Sequence, residues 1–234
     1  TSGRDSPLEH CKATALRYWE ECWEKKNFNP ILDDKKQAAA EITFSVPLCE
    51  IGDITFVLQG TIDLLLNIIN GGPNILDYKT TSSWKQDEFL HKFVLDPQVT
   101  NYIYALSRLV KMYPDSPFYQ QFADIGNVGA FIEAIFLKSK PFECQFKRSQ
   151  RMTKSLKELQ FYEDYLFQKC AALAEAIHAG KKPRSEGRFN NSCQGVYGPC
   201  AYFDSCATKD LKHKKMILKN SFKVKAFNPL NYDG

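Results

Sequence analysis

Two apolar runs joined by a glycine-rich turn constrain the fold of this chain more than any other feature. Residues 54–69 read ITFVLQGTIDLLLNII, and after NGGP a second run, NILDYKT, covers residues 74–80. Both runs are rich in the apolar and β-branched residues that favour strands, whereas Asn, Gly and Pro favour a turn. The pattern predicts a β-hairpin.

Strands and helices are also predicted on both sides of this hairpin. Strands are expected at residues 40–48, 128–137 and 142–147. Helices are expected at residues 6–26, at 96–113 with Asp96 as cap and Pro97 at the first position, and at 153–179 before Gly180. The expected buried faces consist of Leu8, Cys11, Ala15, Tyr18 and Cys22 in the first helix, Val99, Ile103, Leu106 and Val110 in the second, and Leu156, Leu159, Leu166, Leu173 and Ile177 in the third. This mixture predicts an α/β protein.

Three charged residues interrupt the hairpin. Asp77 and Lys79 are two apart and therefore share a face of their strand, and Asp63 lies inside the preceding apolar run. A lone buried carboxylate is costly without a partner, and two acids on neighbouring strands can share one Mg²⁺ or Mn²⁺ ion. A lysine beside that ion could stabilise charge on a phosphodiester during hydrolysis. The alternative is that the three charges lie on a solvent-exposed surface.

The ordered combination of motifs resembles the RecB-type branch of the PD-(D/E)XK nuclease superfamily. GTID on one strand, DYKT on the next and QVTNY on a helix follow in order within roughly residues 41 to 110. The resemblance implies a restriction-endonuclease-like core, with a central mixed β-sheet flanked by helices. It implies Asp63 and Asp77 as metal ligands, Lys79 as the catalytic lysine, and Gln98 and Tyr102 as site residues on the helix.

A third metal ligand lies upstream in many members of this family. Glu41, which opens the predicted strand at residues 40–48, is the candidate here, and His10 on the first helix is the alternative. The metal site is therefore expected to contain Asp63, Asp77 and Glu41.

Three late cysteines form a second candidate site. Cys193, Cys200 and Cys206 lie within an irregular segment rich in Gly, Asn and Ser, and such closely spaced thiolates can bind a metal centre. The AddB-like and CRISPR-associated members of the family imply a 4Fe-4S cluster, with Cys11 or Cys22 as the fourth ligand. The C-x6-C-x5-C spacing departs from their tighter first interval. A zinc site completed by His178 or His213, and free thiols, are the alternatives.

Composition sets the remaining expectations. The chain has 234 residues, a net charge of +4 and 8 cysteines, without a secretory signal or a run long enough to span a membrane. These features predict an intracellular protein, and the missing initiator Met predicts a fragment or a processed product. The expected organisation is a nuclease core at residues 1–182, a Cys-rich segment at 183–208 and a basic tail at 209–234.

The leading functional hypothesis is a metal-dependent DNA nuclease, specifically an exonuclease acting on single strands or free ends. The expected contacts to phosphates are Lys138, Lys140, Lys147, Arg148, Arg151 and Lys154, together with the late lysines. Two alternatives are a catalytically silent DNA-binding or scaffold subunit with the same fold, and an unrelated zinc-binding module.

Overall fold

A mixed β-sheet of seven strands forms the centre of the fold. The computed structural model describes residues 7–23, 28–68, 71–138, 140, 143–180, 194–195, 198–199 and 210–221. The strands of the sheet are β1 (Phe28–Pro30), β2 (Ala40–Ile51), β3 (Ile54–Ile68), β4 (Gly72–Thr81), β5 (Gly129–Phe136), β6 (Gln145–Arg148) and β7 (Met152–Thr153). Two short strands, β8 (Gln194–Gly195) and β9 (Gly198–Pro199), pair separately.

The strand order explains why the sheet is mixed. The path runs β1-β3-β4-β5-β6, with β2 beside β3 and β7 beside β5. The β3–β4 pair is antiparallel, as the predicted hairpin requires, whereas β4 and β5 are parallel. A parallel pair needs a long crossover, and the chain between β4 and β5 supplies it with helices. The predicted restriction-endonuclease-like α/β fold is confirmed.

Helices flank the sheet, and the described ranges contain six α-helices. They are α1 (Pro7–Tyr18), α2 (Gln86–His91), α3 (Pro97–Met112), α4 (Pro117–Gln120), α5 (Leu156–His178) and α6 (Leu211–Ser221), with a π-helical turn at Trp19–Trp23 and 3₁₀ turns at Lys92–Val94 and Ile125–Asn127. None of the helices in the described ranges is long and apolar enough to cross a membrane.

Strand alternation separates two apolar layers on the two faces of the sheet. On one face Leu64, Leu66, Leu76 and Phe131 form a buried cluster, with Trp23 packed against it. The other face carries Asp63 and Asp77 and is the face that α3 covers. The Asp96 carboxylate caps α3 by accepting from the Gln98 backbone N–H (2.8 Å), and the predicted Val99, Ile103 and Leu106 are buried. This cap fixes where the helix begins beside the acids.

The predicted buried faces of two helices, α1 and α5, were wrong. In α1 the buried residue is Thr14, whereas Leu8 and Cys11 are exposed. In α5 Leu159 is buried as expected, but Leu156, Leu173 and Ile177 are exposed, and the small residues Cys170 and Ala174 lie inside. Helix α5 carries apolar side chains on its exposed side as well as on its buried side, so hydrophobicity alone does not identify the buried face.

The chain divides into two compact units, Thr1–Pro47 with Val57–Asp164, and Leu48–Phe56 with Tyr165–Gly234. The first contains the candidate site and most of the sheet. In the second, Nε2 of His178 lies 3.0 Å from Oδ1 of Asp53. The predicted boundaries at residues 182 and 208 stay a prediction.

Candidate active site

Strands β3 and β4 bring Asp63 and Asp77 together. Their antiparallel register includes the pair Leu64 and Leu76, so one position further Asp63 lies opposite Asp77. Oδ2 of Asp63 accepts a hydrogen bond from the backbone N–H of Tyr78 at 2.8 Å. The carboxylate is therefore held at the neighbouring strand, beside the Asp77 position.

Helix α3 and Lys79 fix the Asp77 carboxylate from two sides. Its Oδ1 accepts hydrogen bonds from Gln98 Nε2 (3.2 Å) and from Tyr102 Oη (3.3 Å), and Gln98 Nε2 also donates to Tyr102 Oη at 2.7 Å. Lys79 Nζ lies 2.5 Å from the other oxygen, Oδ2. The five residues predicted from the three motifs, Asp63, Asp77, Lys79, Gln98 and Tyr102, thus meet at one place.

The electrostatics of this cluster favour a bound cation. Asp77 is only 2 % exposed, and burial raises the pKa of its carboxyl group. The nearby charge of Asp63 raises it further, while Lys79 and Tyr102 act in the opposite direction. Burial also raises the pKa of Tyr102, which therefore stays protonated as a donor. Two carboxylates and one ammonium leave the ionised site with one net negative charge, which a divalent cation would offset.

The chemistry of the site fits Mg²⁺ or Mn²⁺. Oδ2 of Asp77 is buried and takes part in no hydrogen bond of regular geometry, although it contacts the Lys79 ammonium. Such an oxygen is available to a hard cation, and Mg²⁺ commonly uses one or two protein carboxylates with water and phosphate oxygens. Asp63 and Asp77 would be the protein ligands.

The third predicted ligand does not join this pair. Among the described residues, no three His, Cys, Asp or Glu side chains are grouped closely enough to hold a metal ion. Glu41 is exposed, with a backbone φ of 51° at the start of β2. The alternative, His10, has its Nε2 4.0 Å from the buried Cys144 Sγ, where α1 positions it. The described site therefore contains two carboxylates.

Most of the cysteine prediction falls outside the described residues. Cys193, Cys200 and Cys206 all lie outside the residues that the structure describes. Of the two candidates for a fourth ligand, Cys11 is exposed and Cys22 is half-buried. The cluster stays a prediction.

Both arginines expected to contact phosphates have buried partners instead. Arg148 Nε donates to Glu133 Oε2 at 2.8 Å, and Glu133 is 1 % exposed. Arg151 Nε donates to Oδ1 of the buried Asn74 at 2.7 Å. Since a buried charge or amide is costly without a partner, these guanidinium groups stabilise the sheet.

One concave region borders the cluster, and a second lies beyond it on the sheet. A pocket of about 340 Å³ is lined by Gln98 and Tyr102 together with Phe44, Thr61 and Asp96. A larger groove of about 1010 Å³ lies between the α2 region and the β6–β7 region. The sequence interpretation missed the α2 side of this groove, including Lys92 and Leu95. That short segment has no motif or helical periodicity that would have singled it out.

A comparison with models of protein families agrees with these motifs. A model of the PD-(D/E)XK nuclease superfamily matches residues 4–207 of the chain. No curated protein matches significantly. Among solved structures, "Crystal structure of SSO0001" aligns with a TM-score of 0.30 and 12 % sequence identity, covering 69 % of this chain and 57 % of that chain. The chain thus spans a little over half the length of that protein.

Proposed function

The chain belongs to the PD-(D/E)XK nuclease superfamily, and we propose that it is a metal-dependent deoxyribonuclease of the RecB-type branch that acts as an exonuclease. The observation that carries the proposal is the Asp77 carboxylate. It is held by Gln98 and Tyr102 on one oxygen and faces Lys79 on the other, opposite Asp63. Members of the superfamily are generally metal-dependent nucleases, and these are the residues that their motifs require.

Each side chain has a role in phosphodiester hydrolysis. Bound Mg²⁺ or Mn²⁺ would supply Lewis-acid stabilisation of the phosphate and a more acidic water. Asp63 and Asp77 would hold the cation, while Gln98 and Tyr102 keep the Asp77 carboxylate in one orientation. Lys79, whose side chain is 26 % exposed, is accessible enough to place its positive charge beside a phosphate.

The decisive variant is Lys79→Ala. With end-labelled single-stranded and duplex DNA in Mg²⁺, we expect the wild type to release labelled products and EDTA to stop it. Lys79→Ala should cleave at least about a hundredfold more slowly, because the developing charge loses its fixed cation. Lys111→Ala, which removes an exposed lysine near the far end of α3, is the matched control and should cleave normally. Wild-type turnover by folded Lys79→Ala would contradict the assignment.

A catalytically silent DNA-binding subunit is the second candidate. It is favoured by the presence of two rather than three carboxylates in the described site. The same assay separates the candidates, because a silent subunit would bind DNA and release no product in either Mg²⁺ or Mn²⁺. The 4Fe-4S cluster at Cys193, Cys200 and Cys206 is a further part of the proposal that the active-site geometry does not require.

A further inference from the structure

The groove of about 1010 Å³ has two walls that come from separate parts of the chain. One wall is α2 with the 3₁₀ turn that follows it and ends at Leu95. The other wall runs from Lys147 in β6 through β7 to Lys154. Neither wall contains a residue of the candidate active site.

Both walls are anchored beside the candidate active site. Lys79 in β4 pairs with Ala134 in β5, which in turn pairs with Lys147 in β6. Residues paired in this way point to the same face, and two strand spacings place Lys147 roughly 10 Å from Lys79. The opposite wall ends at Leu95, directly before the Asp96 cap of α3. A ligand in the groove therefore lies next to the candidate active site.

The loop between β6 and β7 is hydrogen-bonded to β5 next to the candidate active site. Ser149 Oγ accepts a hydrogen bond from the Ile132 backbone N–H at 2.9 Å, and the Ser149 N–H donates to the Ile132 carbonyl at 2.9 Å. Ile132 is the register partner of Asp77. This wall is thus fixed relative to the acids.

The acids of the groove are already engaged. Asp87 pairs with Lys147 and Glu88 with Lys85, both at 2.8 Å. Glu158 accepts from the Ser155 backbone N–H and hydroxyl, also at 2.8 Å. The groove's acidic charge is thus largely committed to local partners.

Two groove cations are not committed in this way. Within the described part of the chain, neither Lys92 nor Lys154 lies within salt-bridge distance of a carboxylate, although the charge of Lys154 contributes to lowering the pKa of Glu158. The Lys92 ammonium lies 4.0 Å from the ring centroid of Phe89, which leaves its charge uncancelled. The groove therefore presents positive charge to an anionic ligand.

Apolar side chains lie at the same groove. Leu95 is 89 % exposed and Val94 is 44 % exposed. An anionic ligand that also offers apolar faces matches this combination. Unpaired nucleic acid offers both phosphates and open base faces, whereas a duplex hides its base faces by stacking.

We propose that this groove binds single-stranded DNA next to the scissile phosphate, with Lys92 and Lys154 contacting backbone phosphates and Leu95 contacting a base. The inference deepens the proposed nuclease function and rests on it for the position of the scissile phosphate. Lys147 contributes the edge of the groove nearest to Lys79, and its pairing with Asp87 sets the orientation of its side chain.

Binding without turnover tests the groove directly. In EDTA and in the Lys79→Ala background, we would measure the affinity for a long fluorescein-labelled oligothymidylate and for a duplex. Adding Lys92→Ala and Lys154→Ala together should weaken oligothymidylate binding about tenfold. The slope of log affinity against log salt should fall by about 0.7 for each lysine, since each releases one phosphate counterion. Lys35→Ala with Lys111→Ala removes the same charge outside the groove and should change neither quantity.

Leu95→Ser provides a second variant that leaves the charge unchanged. Leu95 is almost fully exposed, so the substitution should leave the melting temperature unchanged while weakening oligothymidylate binding and sparing duplex binding. In steady-state cleavage, the double lysine variant should raise KM for long single strands, with kcat retained. Cleavage of a dinucleotide too short to enter the groove should be unaffected.

The outcomes separate this inference from the nuclease proposal. Unchanged affinity and salt slope in the double lysine variant, or an equal loss in the control pair, would overturn the groove assignment. If the double lysine variant lost more affinity for duplex DNA or for oligouridylate RNA than for oligothymidylate, the assignment to single-stranded DNA would be overturned. If the wild type showed the expected binding pattern but never cleaved DNA, the nuclease proposal would be overturned and the groove proposal would be retained.

Discussion

Asp77 combines a proposed catalytic role with a cost to folding. Its carboxylate is buried and lies beside the charge of Asp63, and these two causes raise the pKa of the Asp77 carboxyl group despite the nearby Lys79. Between its unfolded and folded pKa values, the native state binds more protons than the unfolded state does. The free energy of unfolding therefore falls as pH rises through that interval, and the full cost is present above it.

Replacing this acid with an amide should separate stability from activity. Asn at position 77 keeps an oxygen that can accept from Gln98 and Tyr102 but carries no charge to bury. We expect Asp77→Asn, melted in EDTA at neutral pH, to be more stable than the wild type while cleaving no DNA. The difference in melting temperature should shrink as pH falls to the unfolded pKa of aspartate. A variant that melts below the wild type at neutral pH would refute this account of the cost.

At the scale of secondary-structure elements, α5 begins with a reciprocal hydrogen-bond pair. The Glu158 carboxylate accepts from the Ser155 backbone N–H at 2.8 Å, and Ser155 Oγ accepts from the Glu158 backbone N–H at 3.2 Å. This S-x-x-E capping box satisfies two backbone donors that the first turn leaves open. The helix carries Tyr162 and Glu163, which hydrogen-bond to Asn101 and Tyr104 of α3. The cap therefore supports the helix that packs on α3.

Removing this cap should destabilise the first unit in a pH-dependent way. The Ser155 backbone N–H and hydroxyl both lower the pKa of Glu158, and Ser155→Ala removes the hydroxyl. The stability that this hydroxyl contributes through Glu158 is present above the unfolded pKa and is lost as pH falls through the folded pKa. We expect Ser155→Ala to cost about 1 kcal/mol in urea unfolding at neutral pH and less in acid. Ser82→Ala, at an exposed position outside the helices, is the control. Equal losses at both pH values would contradict the role of the carboxylate.

At the scale of the whole molecule, metal binding should stabilise the entire fold. A ligand that binds only the native state adds about 2.7 kcal/mol at a concentration of 100 times its Kd. Mn²⁺ should therefore raise the melting temperature of the wild type, and Asp63→Asn should abolish the rise. Glu41→Gln should retain it, because Glu41 is exposed and belongs to no group of three ligands in the described structure. Loss of the Mn²⁺ effect in Glu41→Gln would restore the three-carboxylate site.

Local patterns were sufficient to predict the hairpin, α3 and five residues that the structure brings together in the candidate site. The β3–β4 hairpin and the Asp96 cap depend on neighbours in sequence, so side-chain alternation and turn chemistry identify them. Lys79 follows Asp77 by two positions and must share its face in any strand. The order of the three motifs then predicted which helix would face these acids.

The tertiary structure alone decided which cations are available to a substrate. Arg151 is bound to Asn74, 77 positions away along the chain, and Arg148 to the buried Glu133. Lys92 has no motif around it, yet it lines the groove next to the candidate active site. The sequence itself determined the acids, the lysine and their strands, because these follow from side-chain alternation over a few residues. Partners and exposure depend on packing between distant segments, and no local pattern encodes that packing.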